Sequence, residues 1–112
     1  MAKHTKSCPL CEREFQLNIL GYQYRVVFTL HPIVHEDQLC EGLTDNVKQC
    51  IFMSAELSRE RAITVLWHEI IHAGFHILTR ARDEEDICEK VSLLIYSVLL
   101  SNPKQKKELL PL

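Results

Sequence analysis

The stretch ITVLWHEIIHAGFHIL, residues 63 to 78, combines a helical pattern of apolar residues with three histidines and one glutamate. At 100° per residue its apolar side chains cover most of the helix circumference, which predicts a helix buried on nearly all sides. The gap in that apolar cover holds His68, His72 and His76, with Glu69 along its edge. An unpaired buried polar group costs about 1 to 3 kcal/mol, so these side chains need partners.

His68 and His72 are one helical turn apart, so their imidazoles project side by side and can close on one zinc ion at about 2.0 to 2.1 Å. Glu69, between them, points beside the same position and is placed to take a proton from water activated by the ion. This is the HExxH pattern that is typical of zinc metalloproteases. We therefore predict His68 and His72 as metal ligands and Glu69 as the catalytic base.

Catalytic zinc takes three protein ligands and a water molecule, so a third ligand is required. On a continuous helix His76 lies about 6 Å beyond His72 along the axis, which is too far, and we expect it to line the cleft instead. After the turn TRAR, a second helix folded back antiparallel presents Glu85 and Glu89 on one face. We predict Glu85 as the ligand, with Glu89 accepting a hydrogen bond from a metal-bound histidine, and Glu89 as the alternative ligand.

Helix boundaries follow from capping residues. Ser58 is a plausible N-cap for the first helix, which should end near Leu78. Asp83 can cap the second helix, which should stop at Asn102 because Pro103 follows.

Two strands are predicted before these helices, at YRVVFTL (24–30) and QCIFMS (49–54), because both are rich in β-branched and aromatic residues. Together the elements predict an α+β fold: a small antiparallel or mixed sheet of two to three strands, packed on two long antiparallel helices with zinc between them. With 112 residues, one compact domain is expected.

Composition limits the classes of partner. The formal net charge of −2 argues against generic nucleic-acid binding. No run of about 18 apolar residues occurs, and the N-terminus has no apolar secretory core, so we expect a cytoplasmic protein without a membrane partner. The five cysteines are odd in number, which favours reduced thiols or a metal site over a disulfide framework.

The segment CPLCEREF, residues 8 to 15, has the Cys-x-x-Cys spacing that lets two thiolates hold one zinc ion. The distance of 19 residues from this cysteine pair to the first following histidine, and Pro32, exclude a regular DNA-binding finger. The remaining alternatives are reduced surface thiols, or a second, structural zinc held by Cys8 and Cys11 with donors among His31, His35, His4 and Cys40.

Two stretches, CIFMSAELSRERAITVLWHEIIHA and EDICEKVSLLIYSVLLSNP, resemble the small HExxH proteins of phages and prophages that are related to the ImmA/IrrE metallopeptidases. The resemblance covers roughly residues 24 to 103. It implies a minimal zincin-like peptidase domain with His68 and His72 as ligands, Glu69 as base and a glutamate at 85 or 89. The gap between His72 and the acidic helix is shorter than in ImmA/IrrE proteins, and the N-terminal cysteines lie outside the resemblance.

We therefore expect an N-terminal cysteine-bearing segment (1–20), an HExxH domain (21–103) and a C-terminal tail (104–112). The predicted function is a gluzincin-like zinc metallopeptidase that hydrolyses a peptide or protein substrate. One alternative is a catalytically silent, zinc-stabilised phage or prophage binding protein, which the short chain favours. Another is a nucleic-acid-binding adaptor that uses Cys8 and Cys11. The sequence does not fix the oligomeric state.

Overall fold

A computed structural model describes residues 11–78 and 83–111 of the chain. Six strands precede the helices, and the helices follow one another to the end of the described chain. The elements are β1 (Cys11–Ile19), β2 (Tyr22–Thr29), β3 (Ile33–His35), β4 (Gln38–Cys40), β5 (Gly42–Asp45), β6 (Cys50–Ser54), α1 (Arg59–Leu78), α2 (Glu84–Ser101), a 3₁₀ turn (Pro103–Gln105) and α3 (Lys106–Leu109).

The strands form a four-stranded mixed sheet in the order β1-β2-β6-β5, and β3 pairs with β4 in a separate hairpin. β1 and β5 run antiparallel to their neighbours, whereas β2 and β6 are parallel. The predicted α+β class is confirmed, but the predicted sheet of two to three strands is too small. Its missing members are β1, whose Leu17 and Ile19 alternate into the core, and the short edge strand β5.

The N-terminal segment joins this sheet. Residues 11–19 pair with β2 through a turn at Leu20 and Gly21, so this part of the predicted N-terminal segment belongs to the same sheet as β2. Both turn residues have positive φ, 54° at Leu20 and 91° at Gly21, which is where glycine is favoured. The C-terminal tail also packs, because Leu109 is buried and its carbonyl accepts a hydrogen bond from Trp67 Nε1 at 2.7 Å.

Both helices begin where the sequence predicts. The main-chain N–H of Arg61 donates to Ser58 Oγ at 3.2 Å, and that of Asp86 donates to Asp83 Oδ1 at 2.9 Å, so both predicted caps are confirmed. α2 ends at Ser101, just before Asn102 and Pro103, as expected.

Asn102 is a buried polar residue that joins the end of α2 to the edge of the sheet. Its Nδ2 donates to the Asn18 carbonyl at 2.9 Å and to the Val98 carbonyl at 2.7 Å. Its Oδ1 accepts from the main-chain N–H of Asn18 at 2.8 Å. The side-chain amide therefore pairs with β1 as the peptide group of a neighbouring strand would.

α1 and α2 differ in how much they bury. α1 contacts β5, β6, α2 and α3 along one side, where its buried residues are Val65, Leu66, Glu69, Ile70, Ala73 and Gly74. The predicted burial on nearly all sides is wrong, because His68, His72 and His76 are exposed on the other side. Within α2 only Leu94 and Val98 are buried. The two helices approach closely at Gly74, where a Cβ atom would lie 2.5 Å from Leu94 Cδ2. In the described ranges, no helix combines the length and apolar character needed to span a membrane.

Candidate metal centre

His68 and His72 converge on one point above α1. Their Nε2 atoms are 3.2 Å apart, and the two rings meet edge to face with centroids 4.8 Å apart. Two nitrogens bound to one tetrahedral zinc at about 2.0 to 2.1 Å would be about 3.4 Å apart. The observed separation therefore suits two ligands of a single ion, and it also suits an N–H···N hydrogen bond between the two imidazoles.

Glu69 is nearly buried, with 5% of its surface exposed, and β5 holds its side chain. Thr44 Oγ1 donates to Glu69 Oε1 at 2.7 Å and lies 3.1 Å from the Glu69 carbonyl oxygen. Gly42 allows this close approach, because a Cβ there would lie 3.1 Å from Glu69 Cγ and 2.8 Å from Val65 Cγ1. β5 thus fixes one carboxylate oxygen and leaves Oε2 beside Gly42.

Sequence reasoning missed Thr44 and Gly42, because it assigned no strand to the stretch between the two predicted strands. No spacing pattern connects residue 44 with residue 69. The one available indication is that a buried glutamate requires a hydrogen-bond donor, which does not identify the donor.

A cavity of about 310 Å³ opens beside His68, and its lining includes Glu69, Cys40 and the Arg61–Glu41 pair. Glu41 Oε1 accepts hydrogen bonds from Arg61 Nη2 at 2.6 Å and from Arg61 Nε at 3.0 Å. The hydrogen bond from Arg61 lowers the pKa of Glu41, and it raises the pKa of Arg61. The lining of the cavity therefore includes both a paired cation and the candidate base.

The predicted cleft residue His76 lines a different cavity, of about 340 Å³, with Tyr22 and Tyr24. There Tyr24 donates its hydroxyl hydrogen to Asn46 Oδ1 at 2.8 Å, and burial raises the pKa of the tyrosine. The largest cavity, about 530 Å³, lies near the start of α1 and is lined by Phe28 among others. We place the candidate metal centre at His68 and His72 and not in this larger cavity, because the choice depends on the candidate metal ligands and not on the cavity volume.

The predicted third ligands lie on an exposed face of α2. Glu85 and Glu89 are exposed, and on a helix they lie about 180° and 140° around from the buried Leu94. Asp86 turns toward the protein, with 12% of its side chain exposed and an ion pair to Lys90 at 3.2 Å. Asp86 is not among the ligands that the sequence predicts.

Across residues 11–78 and 83–111, no three His, Cys, Asp or Glu side chains are grouped closely enough to hold a metal ion. The structure brings His68 and His72 together, and it does not bring Glu85 or Glu89 into a three-donor group with them. The third ligand therefore stays a prediction.

The cysteine knuckle also stays a prediction. His4, Cys8 and the side chain of Cys11 lie outside the described residues. His31 and His35 are exposed, and His35 Nε2 lies 3.7 Å from a carboxylate oxygen of the adjacent residue 36.

Comparison with known proteins adds no family assignment. No protein-family model, curated protein or solved structure matches the chain. A functional proposal therefore depends on the geometry of His68, His72 and Glu69 and on the sequence pattern that they form.

Proposed function

We propose that the chain is a zinc-dependent peptidase in which His68 and His72 hold the ion and Glu69 is the general base. The 3.2 Å approach of the two Nε2 atoms, on the same helix as a nearly buried glutamate in HExxH register, carries the proposal. A bound zinc ion would supply Lewis-acid activation of water and of the scissile carbonyl.

Glu69 has the surroundings that a positioned base requires. Thr44 fixes Oε1 at 2.7 Å, so the carboxylate loses little freedom when a substrate arrives. In the proposal Oε2 accepts the proton of the attacking water, and the same carboxyl group then delivers that proton to the leaving amine. The cavity beside His68 accommodates the peptide or protein substrate, with Arg61 and Glu41 in its lining.

A carboxylate from α2 completes the ligand set in this proposal. Glu85 is the first candidate and Glu89 the alternative, as the resemblance to phage HExxH proteins implies. Asp86 becomes a further candidate, because its side chain is the acid of the first turn that faces the protein. We retain cytoplasmic localisation, and a second, structural zinc at Cys8 and Cys11, as parts of the proposal.

The rival function is a zinc-stabilised binding protein without turnover. One observation favours it: the Glu69 carboxylate already accepts a hydrogen bond from Thr44. In that case the histidines would hold an ion that stabilises α1, and Glu69 would only fasten α1 to β5.

Zinc content and peptide hydrolysis of the Glu69→Gln variant separate the two functions. For a peptidase we expect one equivalent of zinc at the histidines in both proteins, and an activity on a fluorogenic peptide library that falls at least about 100-fold in the variant. Glu60→Gln, at an exposed glutamate in the first turn of α1, is the matched control and should keep full activity.

Zinc binding with no hydrolysis by the wild-type protein would support the silent binding protein. Absence of zinc from the wild-type protein, or a His68→Ala variant that binds as many equivalents of zinc as the wild type, would contradict both functions. Zinc affinities of Glu85→Gln, Asp86→Asn and Glu89→Gln then identify the third ligand, whose loss should weaken binding by at least about 10-fold.

A further inference from the structure

Helix α2 carries two apolar stripes, although the fold covers only one of them. The inner stripe contains the buried Leu94 and Val98, which face the sheet and α1. The outer stripe consists of Leu93, Tyr96 and Leu100, which are 52%, 67% and 66% exposed. Its spacing of three and four residues is the spacing of a helix seam that packs against another helix.

The outer stripe is large enough to form the centre of an interface. Its three side chains expose on the order of 400 Å² of largely apolar surface, which is comparable to the largest patch on a typical monomer. A standard interface buries about 800 Å² per partner, and its apolar centre is surrounded by a polar rim. The outer stripe would supply such a centre, and the flanking polar residues of α2 would supply the rim.

The charges at the two ends of α2 indicate what covers the stripe. Glu84, Glu85 and Glu89 make the beginning of the helix acidic, whereas Lys104, Lys106 and Lys107 follow its end. In an antiparallel pair of identical helices, the acidic end of each lies beside the basic end of the other. A parallel pair would instead bring like charges together.

We propose that the outer stripe binds a second copy of this chain, forming an antiparallel homodimer through α2. One register satisfies both kinds of contact. With the two-fold axis between Tyr96 and Ser97, Leu93 lies opposite Leu100 of the other copy, and Glu89 lies near the end of the other copy's α2, which Lys104 follows. This inference requires neither zinc nor peptidase activity.

Sedimentation equilibrium of the full chain tests the interface. The wild-type protein should dimerise at micromolar concentration, and Tyr96→Glu should raise the dimer dissociation constant at least about 10-fold, since it places two charges at the centre of the stripe. Val47→Glu is the matched control, because Val47 is an apolar residue that is 95% exposed and lies outside α2. Far-ultraviolet circular dichroism checks that each variant is folded.

Charge exchange tests the antiparallel orientation. Glu89→Lys and Lys104→Glu should each weaken the dimer, and the double variant should regain affinity because each copy again presents opposite charges. A double variant that does not regain affinity would show that Glu89 and Lys104 of the two copies do not approach each other, and would overturn the antiparallel proposal. A wild-type chain that stays monomeric at about 100 μM would also overturn the proposal, because the outer stripe would then be bare or covered by another partner. A dimer whose dissociation constant is unchanged by Tyr96→Glu would overturn it as well.

Discussion

Helices α1 and α2 have similar lengths, 20 and 18 residues, and both are rich in apolar residues, but they differ in which side chains they expose. α1 is covered by strands and helices along one side, which buries Glu69, whereas the candidate ligands His68 and His72 are exposed on the other side. α2 rests on the rest of the molecule through one face only, so it has more apolar side chains than the fold buries. The polar residues of α1 therefore indicate a possible site, whereas in α2 the exposed apolar residues indicate a possible interface.

The largest difference in unfolding free energy is expected between alanine variants of two adjacent leucines on α2. Leu94→Ala should lower the free energy of unfolding by about 2 to 5 kcal/mol, because it leaves a cavity beside Gly74. Leu93→Ala should change it by less than about 0.5 kcal/mol, since Leu93 lies on the outer stripe. Urea unfolding, at protein concentrations too low for the dimer to form, measures both changes in free energy. Equal losses would contradict the division of α2 into two stripes.

A smaller loss of unfolding free energy is expected when the hydrogen bond from Thr44 of β5 to Glu69 of α1 is removed. Thr44→Val removes the donor to the nearly buried Glu69 carboxylate and should cost about 1 to 3 kcal/mol of unfolding free energy. Thr64→Val is the control, because the Thr64 hydroxyl is exposed and donates only to the Glu60 carbonyl of the preceding turn. A Thr44→Val protein as stable as wild type in thermal unfolding would show that β5 does not hold Glu69.

The two helix caps allow a direct comparison at smaller magnitude. Ser58→Ala and Asp83→Ala should each lower the unfolding free energy by about 1 kcal/mol. We expect the larger loss for Asp83→Ala, because its carboxylate also interacts with the positive end of the helix dipole and its hydrogen bond is shorter, 2.9 Å against 3.2 Å. Chemical denaturation of both variants gives the ranking, and the reverse order would contradict it.

The smallest effect is expected at the Arg61–Glu41 pair on the polar side of α1. The pair lowers the pKa of Glu41 below its ordinary value of 4.5, so its stabilisation is present above that pH and disappears as the pH falls through the lowered value. Glu41→Gln should therefore be slightly less stable than wild type at pH 7 and equally stable in acid. Both side chains are exposed, so 1 M salt should reduce the difference at pH 7. Glu56→Gln, at another exposed carboxylate, should show no such dependence on pH.

The helices could be predicted from the sequence because their determinants are local. A capping side chain lies within three residues of the N–H that it binds, as Ser58 and Asp83 show, and Pro103 stops a helix through its own ring. β1 also had a local indication, the alternation of Phe15, Leu17 and Ile19. The cysteines in the same segment directed the interpretation to a zinc knuckle instead.

The short strands and the complete site depend on contacts between distant residues. β5 has four residues, and it is defined by pairing with β6 and packing on α1. The His68–His72 pair followed from helical spacing, whereas the contact of Thr44 with Glu69 spans 25 residues. Which acid of α2 faces α1 depends on the rotation of that helix, and the packing of Leu94 against Gly74 constrains this rotation in a way that no sequence pattern encodes.

The hydrogen bond between Asn18 and the Asn102 side chain makes one amide proton sensitive to the packing of α2 against the sheet. β1 is an edge strand, and an outward-pointing amide there would ordinarily exchange its hydrogen with water quickly. The Asn18 N–H donates instead to Asn102 Oδ1, and that acceptor moves away whenever the end of α2 leaves the sheet. The exchange rate of this single amide therefore measures how often α2 separates from β1 while the rest of the sheet remains intact.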